Sequence, residues 1–378
     1  MIGFVVNPVS GNGKGIRTWK KIERALRREK SPYLLRITEK PGDATVFARE
    51  MAERGDCTAV VAVGGDGTVS ETAAGLLASG ARTPLGHIPA GSGNDFSRMM
   101  GIPAGRPETL ASALAGALSD SSGALSGMSD ARSDTTGDMS GTQSGSPGMT
   151  PDASGMPSGS PGPLPRNTKG AAGGPRRIDV FSLRRDAGPD TAGGTTGLPD
   201  GGSGVAVCSV GAGFDGKVAF ETNRSAYKRW LNRLRLGSLA YPLSVLIALA
   251  TYKPCPVRVT VDGQAFDYDA VWLVAVANVA TYGGGMRICP GARPDDGLAD
   301  VCVVHHIGRL RFLRYFPRVY SGRHIELPGV SLHRGRRVEI RADRPLFVHA
   351  DGEYAGETPL EIRVIADALP VLATTPNP

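Results

Sequence analysis

Ala59-Val60-Val61-Ala62-Val63-Gly64-Gly65-Asp66-Gly67-Thr68-Val69-Ser70-Glu71-Thr72-Ala73-Ala74 runs from an apolar strand through a glycine turn into the start of a helix. Glycines at such a turn let the backbone approach a phosphate and aim N–H groups at it, and the helix N-terminus behind them adds partial positive charge. The turn can therefore hold an anion. A carboxylate in the same turn repels bare phosphate, so Asp66 fits a Mg²⁺-bound nucleotide better than a free one. The competing reading is an ordinary tight turn in which Asp66 only caps the helix. One glycine turn does not decide between them.

Two more turns of this kind accompany it. Ile2 to Val6 reads as a strand entering Asn7-Pro8-Val9-Ser10-Gly11-Asn12-Gly13-Lys14-Gly15, with helical sequence from Thr18 to Lys30. Lys14 is followed by glycine, and the earlier glycines stand at the wrong offsets for a P-loop, which argues against a Walker-type NTPase. A short strand, Pro84 to Ile88, then enters Pro89-Ala90-Gly91-Ser92-Gly93-Asn94-Asp95-Phe96. With Leu34 to Ile37 and Ala59 to Val63 as further strands, residues 1–118 alternate strand and helix as a parallel α/β domain does. The carboxyl ends of such strands converge on one crevice, where these folds bind ligands.

In this order and spacing, Asn7-Pro8-Val9-Ser10-Gly11, Gly64-Gly65-Asp66-Gly67-Thr68 with Glu71, and Gly91-Ser92-Gly93-Asn94-Asp95-Phe96 resemble the catalytic domain of diacylglycerol and sphingosine kinases. The likeness is greatest to the soluble bacterial lipid kinases. It continues through Arg177-Ile178-Asp179, Gly211-Ala212-Gly213-Phe214-Asp215, the stretch Pro290 to Asp300, and Asp351-Gly352-Glu353, covering nearly the whole chain except two insertions. The resemblance implies a three-layer parallel α/β nucleotide-binding domain, a second antiparallel, β-rich, sandwich-like domain, and a cleft between them. It also implies an ATP- and Mg²⁺-dependent lipid kinase, with diacylglycerol as the leading acceptor and polyprenol, sphingoid base and phosphatidylglycerol behind it. Two rivals differ in class. An NAD kinase-like phosphotransferase shares the Gly-Gly-Asp-Gly turn but leaves the first and third turns unexplained, and a non-catalytic lipid-binding protein would not need Asp66 and Glu353.

The resemblance also assigns residues. Asn7, Pro8, Val9, Ser10, Gly11, Thr38, Gly65, Asp66, Gly67, Thr68, Val69, Ser70, Glu71, Ser92 and Asn94 match the nucleotide site. Asp66, Asp95 and Asp179 match three carboxylates around catalytic Mg²⁺. Glu353 matches the proton acceptor, with Asp351 as its helper. Arg293, Asp296 and Leu298 match a structural Mg²⁺ site. His87, His305, His306, His324, His333 and His349 show neither zinc spacing nor a nucleophile partner, and receive no chemistry.

Composition agrees with this reading. The 378 residues, 40% hydrophobic and 21% charged, suit two domains. From Ser119 to Gly174 the chain turns to Gly, Ser, Pro and Thr with few aliphatics, as a disordered insertion (119–175) does. A smaller insertion at 186–204 reads as a lengthened hairpin loop between the strands Ile178 to Leu183 and Val205 to Val210, within a β-rich substrate domain spanning 176–364. Its further strands read as Val257 to Val261, Val271 to Asn278, Ala299 to Val304, Arg337 to Arg341, Phe347 to Ala350 and Leu360 to Val364; residues 365–378 read as a return to the first domain. Five cysteines, odd in number and without metal-ligand spacing, read as reduced cytosolic thiols. The longest apolar run, Leu239 to Thr251, contains Pro242 and falls short of the roughly 18 residues that span a bilayer. The chain opens directly on a core-type strand, so no signal peptide is expected.

The net charge of +7, with an isoelectric point near 9.3, favours anionic surfaces. Lys217, Arg224, Lys228, Arg229, Arg233 and Arg235 crowd together with Tyr227 and Trp230, and Arg309, Arg311, Arg314, Arg318 and Arg323 interleave with Phe312, Tyr315, Phe316 and Tyr320. Each cluster reads either as a membrane-facing surface or as a solvated helix face. The expected partners are a lipid substrate at a membrane surface, an anionic membrane bound peripherally, and a second copy in a homodimer; no nucleic-acid module accompanies the charge. The expected location is the cytoplasm, with transient attachment to the inner face of the cell membrane.

Overall fold

The computed structural model describes residues 1–102, 106–109, 111–112, 175–185, 203–224 and 240–372. The insertion at 119–174, most of that at 186–204, and Lys228, Arg229, Arg233 and Arg235 lie outside the described residues. In the first half, β1 (Ile2–Val6), α1 (Ser10–Arg28), β2 (Tyr33–Ile37), α2 (Asp43–Glu53), β3 (Ala59–Gly64), α3 (Asp66–Ala78), β4 (Leu85–Pro89) and α4 (Asp95–Met100) alternate along the chain. The strands are parallel in the order β2-β1-β3-β4. Every residue of β1 and β3 is buried, as expected of parallel strands covered on both faces.

Side chains in β1 show which helix covers which face. Phe4 meets Trp19 of α1 with ring centroids 5.2 Å apart, while its neighbour Gly3 lies against Met51 of α2. Successive residues of a strand point to opposite faces, so α1 and α2 sandwich the sheet in three layers. The first helix begins earlier than the expected Thr18. It starts at Ser10, but Gly11, Asn12 and Gly13 hold φ of 55°, 56° and 76°, so regular helix follows only after the glycine turn.

The second half is antiparallel. Its longest strand, Gln264–Ala277, pairs with Ser209–Gly213, Cys255–Val261 and Ala299–His305. Trp272 anchors that strand, stacking on Phe312 at 4.5 Å and donating Nε1–H to the carbonyl of Ile307 at 2.7 Å. Phe312 is the buried residue of the helix Arg309–Ser321, whose Leu310 and Leu313 stand exposed beside Arg311, Arg314 and Arg318. None of those three arginines forms an ion pair with a described residue.

Two strand expectations need correction. The run Val205 to Val210 is not one strand but two, Ser203–Ala206 and Ser209–Gly213, because the amides of Val207, Cys208 and Ser209 turn to the carboxylate of Asp351, each at 2.8 Å. The strand expected from Leu360 to Val364 continues to Val371. Two strands, Val330–Gly335 and Glu353–Glu357, went unforeseen.

The strand Leu360–Val371 joins the halves. It pairs antiparallel with Arg176–Arg184 and Arg337–Ala342, then sets Val371 parallel to Leu85 of β4, and Leu372 N–H donates to the Leu85 carbonyl at 2.8 Å. One sheet thus runs through both halves. Among the described residues no helix is long and apolar enough to cross a membrane. All five cysteines are buried free thiols.

Candidate active site

The three glycine turns meet at the carboxyl ends of the parallel strands. Ala90 and Gly91 donate their amides to the Gly64 carbonyl at 2.7 and 3.0 Å. A Cβ on Gly91 would overlap Gly65 Cα, so only glycine permits this approach. Asn7 joins the first turn to the second: Nδ2 donates to Thr68 Oγ1 at 3.2 Å, while Oδ1 accepts the amides of Val9 and Ser10, also at 3.2 Å. Thr38 N–H donates to the Val6 carbonyl at 2.9 Å, placing it next to Asn7. In the third turn Asn94, at φ 55°, accepts the Gly91 amide and donates to the Gly91 carbonyl, both at 3.0 Å, with Ser92 exposed at the tip.

Asn7 to Gly11, Thr38, Gly65 to Thr68, Ser92 and Asn94 therefore share one crevice, with Pro8 half-buried and Val9 exposed on its rim. Farther along α3, Val69 is buried in the core and Glu71 turns to α2, where Oε2 accepts the Ala44 amide at 3.3 Å. Burial pushes the Glu71 carboxyl up. These two support the turn from behind.

Two carboxylates converge across Gly93. A Cβ there would lie 2.8 Å from Asp66 Oδ2 and 3.7 Å from Asp95 Oδ2. Asp66 Oδ1 accepts the Phe96 amide at 3.0 Å, and Asp95 Oδ2 accepts the amide of Gly283, from the second half, at 2.8 Å. Burial and then the neighbouring Asp66 charge push the Asp95 carboxyl up to about 6, against the opposing pull of its Arg98 partner. A divalent cation fits such a pair because it cancels the repulsion that raises one of them. Among the described residues no three His, Cys, Asp or Glu side chains are arranged around a metal, so the other ligands would come from backbone, water and phosphate.

His87, given no role by the sequence, lies beneath this turn. Its Nε2 stands 3.3 Å from the Gly64 carbonyl and its Nδ1 2.9 Å from Ser97 Oγ. Burial lowers it to about 4, so the ring is neutral at physiological pH. The carbonyl accepts only, which assigns the proton to Nε2 and leaves Nδ1 to accept from Ser97. The only hint in the sequence was a polar residue inside the buried strand Leu85–Pro89.

From the second half, Glu353 reaches the first. Its Cγ and Oε1 lie 3.4 and 3.5 Å from where a Gly67 Cβ would stand, so the acidic turn sits over the glycine turn. Asp351, expected beside it as a helper, is fully engaged by other groups. Its carboxylate takes the three amides of residues 207–209 and the hydroxyl of Ser70, and burial pushes its pKa up. It anchors the turn to both halves, and each of its oxygens already accepts two hydrogen bonds.

Asp179 departs from expectation as well. Its Oδ2 accepts the Gly297 amide at 2.7 Å and its Oδ1 the Asp367 amide at 2.8 Å, so it braces a loop instead of joining Asp66 and Asp95. In that loop Asp296 accepts the Leu298 amide at 3.1 Å and pairs with Arg334, whose Nε also lies 3.3 Å from Asp300 Oδ2. Arg293 pairs with Asp295 at 3.3 Å. A guanidinium thus shares Asp296 with any structural Mg²⁺ that Arg293, Asp296 and Leu298 would hold.

Glycine turns at parallel strand ends, a carboxylate pair among them and an acidic turn from a β-rich second domain are the parts that a phosphotransferase of the nucleotide-dependent kinase class uses. The diacylglycerol kinase catalytic domain family matches residues 1–123, and the YegS C-terminal NAD kinase beta sandwich-like domain family matches residues 208–373. The chain is 27% identical over 372 residues to a diacylglycerol kinase of Mycobacterium tuberculosis, covering 97% of this chain and 93% of that one. It is 24% identical over 359 residues to a diacylglycerol kinase of Bacillus subtilis, covering 95% and 91%. A crystal structure of a diacylglycerol kinase from Bacillus anthracis superposes with a TM-score of 0.60 at 20% identity, covering 99% and 96%, and so shares the fold. The chain belongs to the bacterial diacylglycerol kinase and lipid kinase family, and is a lipid kinase.

Proposed function

We propose that the chain transfers the γ-phosphoryl group of Mg·ATP to the free hydroxyl of diacylglycerol, giving phosphatidic acid, while attached to the surface of an anionic membrane. The observation that carries this reading is Glu353 lying over Gly67, with Asp66 and Asp95 in the adjoining turns. The amides of the glycine turns and the start of α3 orient the phosphates. Bound Mg²⁺ would neutralise charge developing on the transferred group. The acceptor hydroxyl has a pKa far above neutrality, so the Glu353 carboxylate takes its proton only as transfer proceeds.

Diacylglycerol leads because the two relatives above carry diacylglycerol kinase as their names. Membrane attachment is supported by the helix Arg309–Ser321, which exposes Leu310 and Leu313 next to Arg311, Arg314 and Arg318 and contains no acidic residue. ATP consumption in mixed micelles tests the acceptor, comparing diacylglycerol with sphingoid base, polyprenol and phosphatidylglycerol, and NAD in solution. Diacylglycerol should give the highest kcat/KM; a higher value for another acceptor reassigns the substrate. Co-sedimentation with anionic vesicles, weakened by salt and absent with neutral vesicles, is the result expected for the membrane; equal recovery with both refutes it.

A further inference from the structure

Behind the acidic turn lies a buried polar chain that the transfer reaction as described does not use. His349, 4% exposed in the strand Phe347–Ala350, sets Nδ1 3.3 Å from the Gly352 amide and Nε2 3.2 Å from Asp215 Oδ2. The amide can only donate, so Nδ1 accepts and the ring proton sits on Nε2, donated to Asp215. Asp215 Oδ2 also accepts the Tyr282 hydroxyl at 3.2 Å, and Oδ1 accepts the Gly216 amide at 2.9 Å. Burial drives the Tyr282 phenol far up, so its proton stays in place.

The chain continues in both directions. Next to Tyr282 is Gly283, whose amide meets Asp95 Oδ2 at 2.8 Å, and next to Gly352 is Glu353. The backbone makes room for it. Gly211 pairs directly with His349, and a Cβ at Gly211 would overlap both Asp215 Oδ2 and His349 Nε2. The contacts therefore link the carboxylate of the cation site to the turn that carries the proton acceptor, through one histidine whose tautomer is set by Asp215.

We propose that His349, oriented by Asp215 and Tyr282, is a positioning residue for phosphoryl transfer: it fixes Gly352, and with it the place of Glu353 over Gly67. The proposal rests on the reading of Glu353 as proton acceptor. Asp215→Asn leaves the shape unchanged but offers one acceptor oxygen where three donors now converge. Either the Gly216 amide goes unpaired, or the new amide N–H faces His349 and moves its proton to Nδ1, against the Gly352 amide. His349→Gln keeps a donor toward Asp215 and removes the acceptor for Gly352, whereas His349→Asn keeps an acceptor near the Nδ1 position and removes the donor.

The test measures kcat, KM for Mg·ATP and melting temperature of the full chain for these variants, with Glu353→Gln in parallel. Misplacing a reacting group by about 1 Å can cost on the order of a hundredfold. Asp215→Asn and His349→Gln should accordingly lose roughly ten- to a hundredfold in kcat, with KM for Mg·ATP within about twofold of wild type. His349→Asn should recover part of that loss although its melting temperature is no higher than that of His349→Gln. A merely structural pair would make kcat follow melting temperature across the three variants, and that result overturns the proposal. So does wild-type kcat in Asp215→Asn and His349→Gln alongside an inactive Glu353→Gln, which leaves the proton-acceptor reading standing. Full activity in Glu353→Gln overturns both.

Discussion

Asp95 carries its carboxyl near 6, while an exposed aspartate in the unfolded chain titrates near 3.8. Between those values the folded protein holds more protons than the unfolded one, so this group's contribution to stability falls as pH rises through the window and is lost above about 6. Asp95→Asn should remove that slope, and Mg²⁺ at pH 7.5 should raise the melting temperature of wild type more than that of the variant. Scanning calorimetry from pH 4 to 8, with and without Mg²⁺, checks both. Asp66→Asn separates charge from shape at the neighbouring position, since an amide oxygen can still accept the Phe96 N–H. Turnover should fall roughly a hundred- to a thousandfold with an unchanged circular dichroism spectrum; near wild-type turnover would remove Asp66 from the chemistry. Both carboxylates were legible because their glycine turns are local in sequence. His87, Asp215 and His349 were not, because a histidine in a strand or an aspartate in the first turn of a helix gives no sign of its partner until the elements are packed.

At the level of elements, the same distinction explains what sequence reading placed wrongly. The turns after β1, β3 and β4 are set by neighbouring residues, and they lie where their patterns indicate. The break between Ser203–Ala206 and Ser209–Gly213 is set by Asp351, far along the chain, and nothing in Val205 to Val210 announces it. For the same reason Asp351 passed for a catalytic helper: its place in Asp351-Gly352-Glu353 is conspicuous, but its four donors come from elsewhere in the fold. Asp351→Asn can accept fewer of them and should leave at least one buried amide unpaired, at a cost of about 1–3 kcal/mol. Thermal melting reads this directly. Ser70→Ala, which removes only a hydroxyl donor, should cost less than Asp351→Asn; the reverse order would mean that the three amides find another acceptor.

For the whole molecule, every described residue assigned to the crevice lies before residue 103 or after residue 175, and the composition of 119–174 cannot bury a core of its own. Replacing that stretch with a short Gly-Ser linker should leave kcat and melting temperature nearly unchanged, because loop closure depends only weakly on length. A marked loss of either would mean that the insertion packs on the enzyme or gates it. The joining of the two halves by Leu360–Val371 has a different consequence, in the order of synthesis. The parallel strands are made well before the residue that closes them, so the outer edge of β4 receives its partner only when Val371, far along the chain, has been made. Until then that edge offers unpaired N–H and C=O groups to any passing strand. A nascent or truncated chain that stops short of Leu360 is thus a template for aggregation, and such long-range closure makes the final folding step slow.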